Sequence, residues 1–231
     1  MFNRLSPQIC RSALAVAALV ALALPVHGEE RCSAPDSNGT ARCEAGLPGK
    51  SVQELAVVQE QSQWCWAASI SMIFAHHGYR VAQEEIVKDG YGVVTNLPAP
   101  SGEAMTHALS RSWIDQDAKP FLGMAIASDT LARKFQVSNH KVIAELAAGR
   151  PLLLGAISHA VVLVGLRYER SASGALRITG GTVIDPQPGR GIRPLLRAEM
   201  RPTYVAAVQV MAAEQQRMAV ADAAPDASVL R

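Results

Sequence analysis

At 231 residues, 49% of them hydrophobic, the chain is long enough for one domain of moderate size with a substantial core. Its 22 basic and 20 acidic residues leave a formal net charge of +2, too even a balance for a nucleic-acid-binding surface.

The chain opens on a segment foreign to that domain. Arg4 and Arg11 form a basic start, Ser12 to Leu24 is uncharged and apolar, and Pro25-Val26-His27-Gly28 ends it on a small residue. This reads as a secretory signal peptide over residues 1–28, cleaved after Gly28. The apolar run is shorter than the ~20 residues that span a bilayer, and no later segment is long and apolar enough to cross one, so no stable membrane insertion is expected. Without residues 1–28 the chain carries 20 basic and 20 acidic residues and no net charge. The expected destination is the periplasm or the outside of a bacterial cell, where thiols oxidise. Cys32 and Cys43 lie in a segment rich in Pro, Gly, Ser and Asn, and a small disulfide loop between them is expected within an irregular lead-in over 29–50. Cys65 is then the odd thiol. It is either an inert core cysteine or a used one.

Residues 51–211 read as the folded domain. Ser51 to Gln63 is extended, and from Trp64 the spacing becomes helical: Cys65, Ala68, Met72 and Ala75 share a face, and Gly78 stops the helix. Val81 to Lys88 reads as a second helix closed by Asp89-Gly90-Tyr91-Gly92, and Glu103 to Ser110 as a third after a proline-rich loop. Between 115 and 138, Phe121 to Ile126 suggests strand and Thr130 to Phe135 a turn of helix. A helix from Asn139 or His140 to Ala148 stops at Gly149. Pro151 to Ile157, His159 to Tyr168, Ala175 to Asp185 and Tyr204 to Met211 are strands, with a bulge or turn at Gly180-Gly181. Residues 212–231 show no core pattern and read as a helical or flexible tail. Helices first and strands second give an α+β domain in two lobes.

Cys65 stands where a glutamine-rich segment turns into an apolar helix, so the positive end of the backbone dipole favours its thiolate. His159 opens a very apolar run and Asp185 closes another, each at the edge of a regular element. A nucleophile, a base that would protonate a leaving amine, and a carboxylate that would orient the base are therefore present in one chain. A glutamine just upstream, one of Gln59, Gln61 and Gln63, can offer an amide N–H to an oxyanion beside the Cys65 backbone N–H. Each residue also has a plainer reading. His159 suits a core strand, Asp185 before Pro186 suits a turn, and Trp64 and Trp66 suit packing. His76, His77, His107 and His140 lack ligand spacing and no phosphate-cradling glycine loop is present, so neither metal nor cofactor is expected.

Several of these stretches resemble those of papain-like cysteine peptidases of the compact bacterial type, such as secreted effector proteases and bacteriocin-leader peptidases. The matching residues are Gln59 with Trp64-Cys65-Trp66-Ala67-Ala68, Gln83-Glu84-Glu85-Ile86-Val87 followed by Tyr91-Gly92, Gly149-Arg150-Pro151, His159 to Gly165, and Asp185-Pro186. The Cys-to-His interval is shorter than the ~130 or more of papain and the cathepsins. The resemblance implies a helical lobe bearing Cys65 and an antiparallel β lobe bearing His159 and Asp185. It places the oxyanion glutamine six residues before the cysteine, which selects Gln59. It implies a monomeric enzyme that cleaves peptides or proteins. The same side chains would serve a cell-wall amidase or a peptidyl transferase, and the scaffold alone would serve a peptide-binding module that is not an enzyme.

Overall fold

The computed structural model describes residues 28–215 except Ile157. The expected signal peptide and most of the expected tail lie outside that range. In chain order the elements are β1 (Glu29–Cys32), β2 (Ala41–Gly46), α1 (Gly49–Leu55), α2 (Cys65–His76), α3 (Gln83–Tyr91), α4 (Gly102–Leu109), β3 (Ser112–Ile114), β4 (Pro120–Asp129), β5 (Lys134–Phe135), α5 (Asn139–Ala147), β6 (Leu152–Ala156), β7 (His159–Arg170), β8 (Leu176–Asp185), β9 (Gly191–Pro194) and β10 (Tyr204–Ala212).

The described strands form one antiparallel sheet in the order β1-β2-β7-β6-β10-β4-β3, with β5 on β4 and with β8 and β9 branching from β7. Its centre reads as unbroken apolar sequence because both faces are covered. Leu153, Val162, Val164, Ala206 and Val208 point to one face, where they pack with α2, α3 and α4. Leu152, Leu154, Val161, Leu163 and Ala207 point to the other and pack with Val142, Ile143 and Leu146 of α5. Alternate side chains of each strand thus feed two cores. The helices α2 to α4 make the helical lobe, and the sheet makes the β lobe.

Helix α2 is buried on nearly every side, from Cys65 and Trp66 through Ile70, Met72, Ile73 and Phe74. The face expected from spacing is therefore only part of what it covers. It is wedged between the sheet and its neighbouring helices, and a helix buried all round is apolar all round. Helix α3 runs further than Lys88. Asp89, Gly90 and Tyr91 belong to it, and Gly92 at φ 73° is the left-handed cap. Gly90 sits inside the helix at a cost of about 1 kcal/mol relative to alanine. A Cβ there would stand 3.1 Å from Cη2 of Trp66, so the glycine lets α3 close on the residue after Cys65.

Three further expectations are corrected. Residues 29–50 are not an irregular lead-in: β2 pairs along β7 from Gly165 to Arg170 and β1 pairs with β2. Residues 51–55 are helical, as part of α1, whose Val52 and Leu55 are buried. Residues 130–133 form a turn and Lys134 and Phe135 form β5, which pairs with Ser128 and Asp129 of β4. The Cys32–Cys43 disulfide is present and joins residues directly opposite each other on β1 and β2. The irregularity expected at Gly180-Gly181 appears as a register shift of β8 on β7 between Arg167 and Tyr168.

Candidate active site

Cys65 is the first residue of α2. Its backbone N–H belongs to the first turn, where no intrahelical acceptor exists. Its thiol is free and 8% exposed. Trp64 and Trp66 on either side are buried, but they do more than pack. Trp64 Nε1 donates to the Thr95 carbonyl at 2.8 Å and Trp66 Nε1 to the Leu97 carbonyl at 3.4 Å. Asn96 completes the tie, its Oδ1 accepting the Gln63 N–H at 2.9 Å and its Nδ2 donating to Ser62 Oγ at 2.9 Å. The loop after α3 is thereby fastened beside the thiol, with Val93, Val94 and Leu97 exposed on it.

His159 is the first residue of β7 and Asp185 the last of β8. The pairing of Val162 with Ile184 brings the start of one strand beside the end of the other. His159 Nε2 and Asp185 Oδ1 are 2.8 Å apart. On its other side the ring is near enough to the Cys65 thiol for the thiol to raise its pKa. With Nε2 on the carboxylate, Nδ1 is the nitrogen left for sulfur. The ring is 27% exposed at its side chain, whereas that of Asp185 is 1% exposed. The crevice is thus open at the histidine and closed behind the carboxylate.

The surroundings set the protonation states. The neighbouring Cys65 thiol lifts His159 above the ordinary histidine range; burial opposes this and Asp185 adds to it. Burial works against ionisation of Asp185. It is outweighed by the Gln187 N–H, the Arg193 guanidinium and the His159 ring, so the carboxyl stays below the usual range.

Gln59 is buried at 8% exposure, and its backbone N–H donates to the Pro186 carbonyl at 2.8 Å, tying it to the segment after Asp185. Its side-chain amide faces inward on its own loop. Nε2 donates to the carbonyls of Gln61 and Ser62, both at 2.8 Å, and Oε1 is buried without a partner. Both amide hydrogens are occupied. Rotating the amide by half a turn would set its oxygen against two carbonyl oxygens, so the orientation is fixed by chemistry. Donation to an oxyanion requires one N–H to leave its carbonyl.

Sequence reasoning missed two groups of residues here. Gln83, at the start of α3, is buried. Its Oε1 accepts the Glu60 N–H at 3.0 Å and its Nε2 donates to the Val58 carbonyl at 2.9 Å, which clamps the backbone on both sides of Gln59. Arg193 of β9 and Glu199 beyond it stand behind Asp185, with Arg193 Nε donating to Asp185 Oδ2 at 2.8 Å. The one available signal was Gln83, which lies in a stretch that matched the resemblance; nothing in the sequence marked Arg193 or Glu199.

Two cavities of about 610 and 620 Å³ lie along β1, β2 and the far half of β7. Neither is lined by Cys65, His159 or Gln59, and contact with the site is through Arg193 alone. Among the described residues, Glu30, Cys32 and Cys43 are the one group close enough to share a metal ion, and both sulfurs are bonded to each other. No described helix is long and apolar enough to cross a membrane.

A family model described as Peptidase_C39 like family matches residues 54–209. The chain belongs to that family. It is a papain-like cysteine peptidase. The matched span of this C39-like peptidase runs from the end of α1 to β10 and takes in Gln59, Cys65, Gln83, His159 and Asp185. Three solved structures are similar at a TM-score of 0.38. The peptidase domain of Streptococcus ComA, a bi-functional ABC transporter involved in a quorum-sensing pathway, is 13% identical and covers 68% of this chain and 97% of its own. A double-glycine motif protease from an AMS/PCAT transporter, in complex with the leader peptide, is 16% identical and covers 66% and 89%. UfSP from C. elegans is 14% identical and covers 82% and 35%. No curated protein matches the C39-like chain.

Proposed function

We propose that this cysteine peptidase hydrolyses peptide bonds outside the cytoplasm, with Cys65 as nucleophile, His159 as acid and base, and Asp185 as the group that orients His159. The observation that carries the reading is the His159 ring, whose Nε2 stands 2.8 Å from Asp185 Oδ1 and whose pKa the neighbouring Cys65 thiol raises. With the thiol proton on Nδ1, the thiolate attacks the carbonyl carbon of the scissile bond. A C–S bond forms and the carbonyl electrons move to oxygen. The Cys65 N–H and one N–H of Gln59, released from its carbonyl, would receive that charge. The tetrahedral species collapses as His159 gives its proton to the amine, the C–N bond breaks, and a thioester remains. His159 then takes a proton from water, whose oxygen attacks the thioester. Loss of the thiol restores Cys65 and frees the carboxylic acid.

The Cys32–Cys43 disulfide supports a setting where thiols oxidise. The test is proteolysis by Cys65→Ala and His159→Ala, with folding checked by circular dichroism and peptides read by mass spectrometry. Both variants are expected to fold and to lose turnover. A hydrolysis rate like that of the wild type in either one refutes the assignment. Purified cell-wall fragments in a parallel reaction tell a peptidase from an amidase, and added amines tell it from a transferase.

A further inference from the structure

The carboxylate that holds His159 is itself held. Asp185 Oδ1 takes His159 Nε2 at 2.8 Å and the Gln187 N–H at 3.0 Å. Oδ2 accepts from Arg193 Nε at 2.8 Å and is paired with the same guanidinium through Nη2, also 2.8 Å away. The far edge of the same guanidinium forks onto Glu199, Nη1 to Oε2 at 2.8 Å and Nη2 to Oε1 at 2.5 Å. Glu199 Oε2 also accepts the Leu196 N–H at 2.8 Å. Asp185 and Glu199 are buried, and the side chain of Arg193 is only 12% exposed.

Geometry explains the reach. Arg193 stands opposite Val183 on β8, and Asp185 lies two residues further along, opposite Gly191. A side chain as long as arginine's spans that diagonal. A carboxylate turns freely about its last bond unless both oxygens are engaged. Gln187 and His159 engage Oδ1 only. If Oδ2 were unfilled, rotation would carry Oδ1 off Nε2 and release the imidazole. Charge explains the second acid. Arg193 with Asp185 alone would be neutral, which would cancel the field that stabilises an imidazolium. With Glu199 included, the three groups carry one net negative charge, and Asp185 keeps its influence on the ring.

We propose that Arg193, braced by Glu199, is a positioning residue of the active site. It fixes the plane of the Asp185 carboxylate so that Oδ1 stays on Nε2 and Nδ1 stays turned toward the thiol. This rests on the reading of Cys65 and His159 as nucleophile and base.

Alkylation of Cys65 by iodoacetamide tests it without a substrate. The rate is followed from about pH 4 to about pH 10 by mass mapping of the Cys65 peptide, in wild type, Arg193→Gln, Arg193→Lys and Glu199→Gln. Wild type is expected to react readily near pH 6, as a thiolate–imidazolium pair does. In Arg193→Gln the rate near pH 6 is expected to fall about tenfold or more, one pK unit being tenfold, while the rate near pH 9.5 changes less than about twofold. Arg193→Lys recovers part of the loss because charge returns without the fork. Glu199→Gln gives an intermediate fall. A purely structural role would lower the variants' melting temperatures and leave the pH profiles of the folded proteins superimposed on wild type; that result overturns the proposal. Should Arg193→Gln fail to fold, Glu199→Gln decides by the same comparison. A wild type that reacts only as an ordinary thiol, above about pH 8.5, defeats the nucleophile–base reading itself and takes this inference with it.

Discussion

Gln59 separates two roles that usually travel together, bracing and catalysis. Replacing it by alanine removes two hydrogen bonds of 2.8 Å to the carbonyls of Gln61 and Ser62. At about 1 kcal/mol each, the loss of stability is about 2 kcal/mol. The backbone bond from Gln59 N–H to the Pro186 carbonyl survives the substitution, so the segment bearing Asp185 is not released. If one amide N–H also moves to the oxyanion, kcat falls a further ~100- to 1,000-fold, or roughly 2.7–4 kcal/mol of transition-state stabilisation. The assay is steady-state cleavage of any peptide found in a proteolytic profile, with urea melts on the same preparations. The expected result is a large fall in kcat, a small change in KM and a modest loss of stability. A variant with kcat within about threefold of wild type and a lowered urea midpoint would show that Gln59 only braces its loop. The donor would then have to be sought among backbone amides.

Three more outcomes are expected. Gln83→Leu leaves the Glu60 N–H and the Val58 carbonyl without their partner, costs about 2–4 kcal/mol in chemical unfolding, and lowers kcat by loosening the segment that carries Gln59. His77 is pushed down to about 4, first by burial and then by the charges of His76 and Arg150. Its folded pKa lies below the ordinary 6.5, so between those values the unfolded chain takes a proton that the folded one refuses. The stability tied to His77 is complete above about pH 6.5 and falls by up to about 3 kcal/mol as the pH drops to about 4. Urea melts across that window should show the slope, and His77→Asn should flatten it; an unchanged slope rejects the assignment. Reduction of Cys32–Cys43 is worth at most about 3 kcal/mol. It should speed hydrogen exchange along β1 while Cys65 alkylation keeps its pH profile, because the hairpin lies on the edge of the sheet away from the thiol.

The parts of this protein that announce themselves in sequence are those whose periodicity or chemistry is local. Helix α2, the apolar runs of β6 and β7, and the cysteine, histidine and aspartate at element edges all could be read because each signal sits within a few neighbours. What escaped was short or depended on distant partners. β1 has four residues, all exposed and three of them charged or polar at the surface, so no alternation marks it. It is a strand because β2 is beside it. α1 is seven residues long and has two buried positions, too few for a helical stripe. β9 is four residues after a turn that contains Gly189, and its Arg193 acquires meaning only through the register with β8. Gln83 looked like one polar residue opening a helix. Its value comes from two backbone groups more than twenty positions earlier in the chain. The Gln59 amide teaches a further point. The family resemblance chose the residue, but the direction of its hydrogens depends on two carbonyls that no motif encodes.

Because the sulfur sits at the tip of α2, and that helix is enclosed by the same interior that supports His159, displacement deep inside the molecule reaches the Cys65 sulfur and the His159 ring. Ile70, Ile73, Val162 and Val164 belong to that interior. Trimming any of them opens a void that neighbours only partly refill, and the settling of α2 against β7 changes the gap between thiol and ring. Random mutagenesis scored on turnover should therefore return many lesions that never meet a substrate, and their second-site suppressors should refill volume across the α2–β7 seam rather than add groups at the crevice.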